Sequence, residues 1–269
     1  MLVFSYGMTA SPAFRHSLVV VAVSGTNSEF KMTVPRILCE AIRQNSNKIM
    51  CGRYSLIPKT TKGRSRAAKL VKQYLQEAHY NAAPSQALPV VTGQEPDKLQ
   101  LFSWGLQPFW AKDAKAVKRS INARAETLAE KPSFRKLLTS KRCLVPADGF
   151  FEWQVTGQGK VPFRLMLKSE ELFTFAGLWD EWADRNTGEV LHTFTIITTE
   201  ANDVVKPIHD RMPVLLTPEA EELWLNGNET QAGLLSLLVP YSAEEMKAYA
   251  VSPLLNSPAH NVPEVLNSL

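Results

Sequence analysis

From residue 142 to residue 199 the chain is a succession of short β-branched and aromatic runs, and this pattern limits the available folds more than any other feature. Residues 192–199 read His-Thr-Phe-Thr-Ile-Ile-Thr-Thr, β-branched nearly throughout and without helical period. Residues 162–167 and 172–182 repeat the pattern, as does 142–153, which divides into two strands at Pro146-Ala147-Asp148-Gly149. Earlier, 52–56, 88–92 and 98–104 read as strands, the last placing Leu99 and Leu101 on one face with Gln100 opposite. The helical periods between them are brief. Residues 64–78 space Ala67, Leu70, Val71, Tyr74 and Leu75 helically; 133–138, 200–205, 218–225 and 231–238 are shorter candidates. Many strands with few helices between them predict an α+β fold: a single domain around a mostly antiparallel, barrel-like β-sheet with peripheral helices.

Composition narrows the function. With 269 residues, 45% of them apolar and 21% charged, the chain can bury a sizeable core. The apolar run 18–23 is too short to span a membrane. Cys39, Cys51 and Cys143 lack the spacing of a zinc site or disulfide framework, which points to a reducing cytoplasm and to no metal. No glycine-rich phosphate loop suggests a nucleotide, so no cofactor is expected. Of the net charge of +4, residues 1–49 hold five basic residues against two acids, leaving about +1 for the rest. The basic face of Arg64, Arg66, Lys69 and Lys72 reads more readily as a solvated helix surface than as a nucleic-acid patch.

Met50-Cys51-Gly52-Arg53 poses a chemical question. If Met50 is an initiator that is removed, Cys51 carries a free α-amine beside its thiol. The amine can attack an aldehyde to give a Schiff base, and the thiol can close on the imine carbon as a thiazolidine. Residues 1–49 show no sustained period and read as a non-native extension or a removed segment, with residues 51–269 forming the working domain.

Other residues fit such chemistry. Asn122 and Arg124 point the same way if their segment is extended. Glu152 stands in the apolar frame Gly-Phe-Phe-Glu-Trp-Gln, either on a solvent face or desolvated as a general acid requires. His209, in Ile208-His209-Asp210-Arg211-Met212-Pro213, occupies a tight polar turn suited to a site or to a structural bridge. In Trp104-Gly105-Leu106-Gln107-Pro108-Phe109-Trp110, Trp104 reads as a core anchor, whereas Phe109 and Trp110 suit base stacking or core anchoring equally.

Seven motifs in order resemble the SOS response-associated peptidase family of abasic-site processing proteins: Met50-Cys51-Gly52-Arg53, Tyr80-Asn81-Ala82-Ala83-Pro84, Trp104-Gly105-Leu106 with Pro108 and Trp110, Asn122-Ala123-Arg124-Ala125-Glu126-Thr127, Asp148-Gly149-Phe150-Phe151-Glu152-Trp153, Phe175-Ala176-Gly177-Leu178-Trp179 and His209-Asp210-Arg211-Met212-Pro213. The resemblance runs from Cys51 to the end of the chain. It implies a protein of the DNA-damage response that traps abasic sites in single-stranded DNA as a covalent crosslink, with Cys51 as nucleophile. It also implies that Asn122 positions the amine, Glu152 moves protons, His209 holds the sugar oxygen, Arg53 and Arg124 contact phosphates, and Trp110 lies near the bases. The expected protein acts as a monomer in the cytoplasm, on the nucleoid when bound to DNA. The extension departs from the family pattern, in which the cysteine directly follows the initiator: with residues 1–49 attached, the Cys51 nitrogen is an amide and cannot form the imine. Two rival readings remain: a cysteine peptidase with Cys51 and His209, acting on itself alone or on other targets, and a non-covalent single-strand binder.

Overall fold

A computed structural model describes residues 52–58, 62–63, 65–111, 117–185 and 187–269. The expected extension, Met50 and Cys51 lie outside the described residues. The first half of the domain contributes β1 (Tyr54–Leu56), α1 (Arg66–Tyr74), β2 (His79–Ala82), β3 (Ala87–Thr92), β4 (Gln100–Trp104), β5 (Asn122–Arg124) and α2 (Pro132–Ser140). There follow β6 (Arg142–Ala147), β7 (Gly149–Thr156), β8 (Gly159–Leu167), β9 (Phe173–Ala183) and β10 (Val190–Glu200). The chain finishes with β11 (Arg211–Pro213), β12 (Leu215–Leu216), α3 (Pro218–Leu225), α4 (Gln231–Ser236) and β13 (Met246–Ala250).

Strands β10, β4, β3, β6 and β9 pair in that order, and β9 pairs back to β10, closing a barrel. Its pairings are antiparallel except β10 with β4; β5 also lies parallel to β10. A second sheet runs β13-β8-β7-β1-β2 and is antiparallel throughout. The β-branched run 192–199 therefore becomes a strand with partners on both sides and a buried face on each, consistent with its lack of polar alternation.

Aromatic side chains join the two sheets. Tyr54 packs against Trp104 at 5.3 Å and Phe175 at 5.8 Å between ring centroids, and Phe150 meets Phe175 at 6.1 Å. Trp104 stacks on Phe194. All five rings are fully buried, each contributing about 1.5–3 kcal/mol from its apolar surface. The opposite face of the barrel is covered by helices. Ala67, Ala68, Leu70 and Val71 are the buried stripe of α1, and the Ser65 hydroxyl caps its first turn by accepting from the Ala68 amide.

On β4, Leu101 is exposed, because Phe102 and Trp104 take the interior. No helix forms at 200–205: the Asn202 carboxamide accepts from the Val204 and Val205 amides and holds a turn instead. The segment at Tyr80-Asn81 is strand β2, and β13 adds an edge that the sequence pattern does not announce.

Candidate active site

The candidate residues lie on segments of both sheets: Glu152 on β7, Asn122 on β5 and His209 in the turn before β11. Tyr54 pairs with Phe150 and Ser55 with Gly149, and the Phe151 amide donates to the Arg53 carbonyl at 3.0 Å. The chain entering β1 thus runs antiparallel beside β7. Side chains on β7 alternate, so Glu152 shares the face of Phe150, toward the barrel, and is 2% exposed. The solvent-face alternative for Glu152 is excluded.

Asn122 stands opposite Ile196 in the parallel pairing of β5 with β10, and Arg124 opposite Thr198. Both side chains therefore leave the strand on the side opposite Ala123, as alternation predicts; Asn122 is half-buried and Arg124 exposed. The start of β5 is pinned by Trp104, whose indole N–H donates to the Ile121 carbonyl at 2.9 Å, while the Ile196 amide donates to the same oxygen at 3.1 Å.

His209 is buried in the turn before β11. Its amide donates to the Val205 carbonyl at 2.9 Å, and its Nδ1 accepts from the Arg211 amide at 3.1 Å. The Asp210 carboxylate also lies 3.1 Å from Nδ1.

Two sets of bonds draw these segments together. From β7, the Gln154 carboxamide, on the same face as Glu152, donates to the Pro207 carbonyl at 3.0 Å, two residues before His209. From β11, the Arg211 guanidinium clasps the Glu126 carboxylate at 2.6 and 2.9 Å and donates to the Thr198 carbonyl at 2.7 Å. Glu126 lies two residues past the end of β5, so this pair fixes the Asn122 strand against the His209 turn. The Arg211 hydrogen bond holds the Glu126 carboxyl below the usual carboxylate range.

The remaining expected residues separate. Arg53 alternates with Tyr54 onto the outer face of the five-stranded sheet. There its Nη1 donates to Asn81 Oδ1 and to the Leu255 carbonyl, both at 2.8 Å, and the guanidinium lies over the Trp153 ring. Trp110 and Phe109 are 53% and 62% exposed, on the loop closed by the Leu106–Ser120 bridge. That loop opens at Gly105, whose φ of +119° favours glycine. Cys143 is fully buried and its thiol is pushed well above the ordinary range by burial, which removes it as a nucleophile.

Ser55, Asp148, Arg164 and Asn81 had no role assigned in the sequence. Ser55 donates to the Asp148 carboxylate at 2.6 Å, and Arg164 pairs with the same group at 3.2 Å. Burial raises the Asp148 proton affinity, with Arg164 and Ser55 opposing. This cluster ties β1, β7 and β8 where the strand carrying Glu152 begins. Asn81 is likewise a hub: its amide donates to the Ser257 and His260 carbonyls at 2.9 and 3.0 Å while its oxygen receives Arg53. The motif Tyr-Asn-Ala-Ala-Pro signalled its importance without revealing its partners.

Residues 50–258 match the sequence profile described as SOS response associated peptidase (SRAP). The chain belongs to this family. Among its SRAP relatives, the abasic site processing protein YoqW of Bacillus subtilis (strain 168) is 48% identical over 226 residues, covering 81% of this chain and 100% of YoqW. The abasic site processing protein HMCES of Gallus gallus is 34% identical over 237 residues, covering 76% of this chain and 70% of HMCES. A crystal structure of a protein from Bacteroides thetaiotaomicron superposes with a TM-score of 0.71 at 35% identity, covering 81% of this chain and 100% of that one. The SRAP match accounts for both sheets and every segment that carries Asn122, Glu152 and His209. Among the described residues, no helix is long and apolar enough to cross a membrane.

Proposed function

We propose that this chain captures abasic sites in single-stranded DNA as a covalent DNA–protein crosslink formed by Cys51 once the residues before it have been removed. The observation that carries this reading is the full-length match to YoqW, itself named an abasic site processing protein, combined with a family match that begins at Met50. The domain boundary proposed here is the same: residues 1–49 are dispensable and 51–269 are the active unit.

The chemistry balances simply. The α-amine of Cys51 adds to the ring-opened aldehyde of the abasic sugar, and loss of one water gives the imine. The thiol then adds to the imine carbon, its proton passing to nitrogen, and the thiazolidine closes. An α-amine has a pKa of about 7.7–8.0 against about 10.4 for lysine, so a useful fraction is neutral at physiological pH. In this reading Glu152, taken out of water by the sheet-to-barrel packing, donates and accepts the protons of ring opening and dehydration. Asn122 orients the amine, and His209 holds the sugar oxygen. Exposed Arg124 meets a flanking phosphate, and exposed Trp110 stacks on a base, which favours a single strand and makes the encounter salt-dependent. Arg53 reaches a phosphate only with donors that Asn81 and Leu255 leave over, so its contribution is the smaller. The protein acts as a monomer on DNA in the cytoplasm or nucleoid.

A denaturing gel tests the mechanism. Protein beginning at Cys51 shifts an abasic oligonucleotide into a denaturant-stable band. Cys51→Ser retains the amine and gives a band only after borohydride reduction. A shift of equal strength with a base-complete oligonucleotide would remove the aldehyde from the account.

A further inference from the structure

We propose that Glu126 is a positioning residue for His209, acting through Arg211 to keep the imidazole proton on Nε2; the proposal rests on the reading of His209 as a site residue. Two neighbours compete for Nδ1 of His209. The Arg211 amide N–H, 3.1 Å away, needs a lone pair there and so favours the tautomer with its proton on Nε2. The Asp210 carboxylate, also 3.1 Å away, needs a proton on Nδ1 and favours the opposite tautomer. Asp210 is adjacent in sequence and 73% exposed, and its carboxylate contends with the Arg211 amide for the same nitrogen.

That placement is set by the Arg211 side chain. The guanidinium is 16% exposed and is gripped by both Glu126 oxygens and the Thr198 carbonyl. End-on bidentate pairing holds both terminal nitrogens of the guanidinium, and with them the residue's place in the turn. Without Glu126 the arginine keeps only a neutral carbonyl partner, that of Thr198. Release of the side chain lets the 209–211 turn shift, removes the amide from Nδ1 and leaves the Asp210 carboxylate to hold the proton on that nitrogen. The Nε2 atom, which is buried, then loses its hydrogen and can no longer donate to a sugar oxygen.

Glu126 is itself half exposed, and an exposed ion pair contributes little to overall stability. The two roles therefore separate experimentally. Imidazole nitrogen NMR on the full chain, with the His209 signal assigned by His209→Gln, reads the tautomer directly. Wild type is expected to show a protonated Nε2 and an unprotonated Nδ1. Glu126→Ala is expected to move the proton to Nδ1 or average the two sites, with Glu126→Gln intermediate because its one amide oxygen can still accept from Arg211. A wild-type Nδ1–H tautomer, or a Glu126→Ala protein with the wild-type pattern, overturns the proposal. In protein beginning at Cys51, Glu126→Ala is expected to slow single-turnover crosslinking at saturating abasic DNA about ten-fold, by analogy with the loss of the partner that orients a metal-ligating histidine, with DNA affinity unchanged. An unchanged rate, or a loss confined to affinity, also overturns it. If wild type forms no crosslink, the proposed function fails, and the tautomer measurement still decides the role of Glu126.

Discussion

Glu221→Gln is expected to remove a pH-dependent penalty on stability that the wild-type protein carries at neutral and alkaline pH. The carboxyl sits at 1% exposure on α3 and accepts from the Thr174 hydroxyl at 2.9 Å. Burial raises its pKa from 4.5 to about 7, against the opposing pull of Thr174, Ser65 and the Ala67 amide. The folded protein thus binds this proton more tightly than the unfolded chain does. The stabilisation from protonation is fully present below the unfolded value of 4.5 and is lost as pH rises through about 7. A shift of this size corresponds to about 3 kcal/mol at alkaline pH, at roughly 1.36 kcal/mol per unit. Glutamine cannot ionise and keeps an oxygen for Thr174, so the variant should gain about 1–3 kcal/mol over wild type at about pH 8 and nothing at about pH 4.5. Urea unfolding across that range measures the difference. Because Asp148, Glu126 and His79 titrate in both proteins, the difference curve isolates Glu221. Parallel curves for the two proteins would refute the reasoning.

Two further outcomes follow from the packing and the surface. Gly149→Ala places a Cβ 2.6 Å from Arg164 Nε inside the Ser55–Asp148–Arg164 cluster, and urea unfolding should show a loss of about 1–3 kcal/mol. Trp110→Ala should leave unfolding unchanged, because the ring is exposed, while lowering single-strand affinity by about 1–3 kcal/mol in fluorescence anisotropy.

The barrel was legible because its strands carry their signal locally. The run 192–199 is β-branched whatever surrounds it, and the alternation of Asn122 with Arg124 follows from chain geometry alone. Glu152 was half legible: its apolar frame allowed a buried or a solvent-facing carboxylate, and the packing of β7 against the barrel decided for burial. Strands β2 and β13 were illegible because His-Tyr-Asn-Ala and Met-Lys-Ala-Tyr-Ala carry weak patterns. Their strand state comes from pairing with β1 and β8, far along the chain. The Arg53–Asn81–Leu255 linkage and the Glu126–Arg211 pair were hidden for the same reason, since partners 28 to 202 residues apart leave no local spacing to detect. The motifs marked these residues as notable; only the fold says what they hold.

The central claim is that Cys51 works as a chain terminus. Intact-mass measurement of the denatured product formed with an abasic oligonucleotide tests it most directly, comparing protein beginning at Cys51 with the full chain. The account predicts, for the shorter protein alone, a species equal to protein plus oligonucleotide less one water. The same species formed equally by the full chain with residues 1–50 still attached would contradict it.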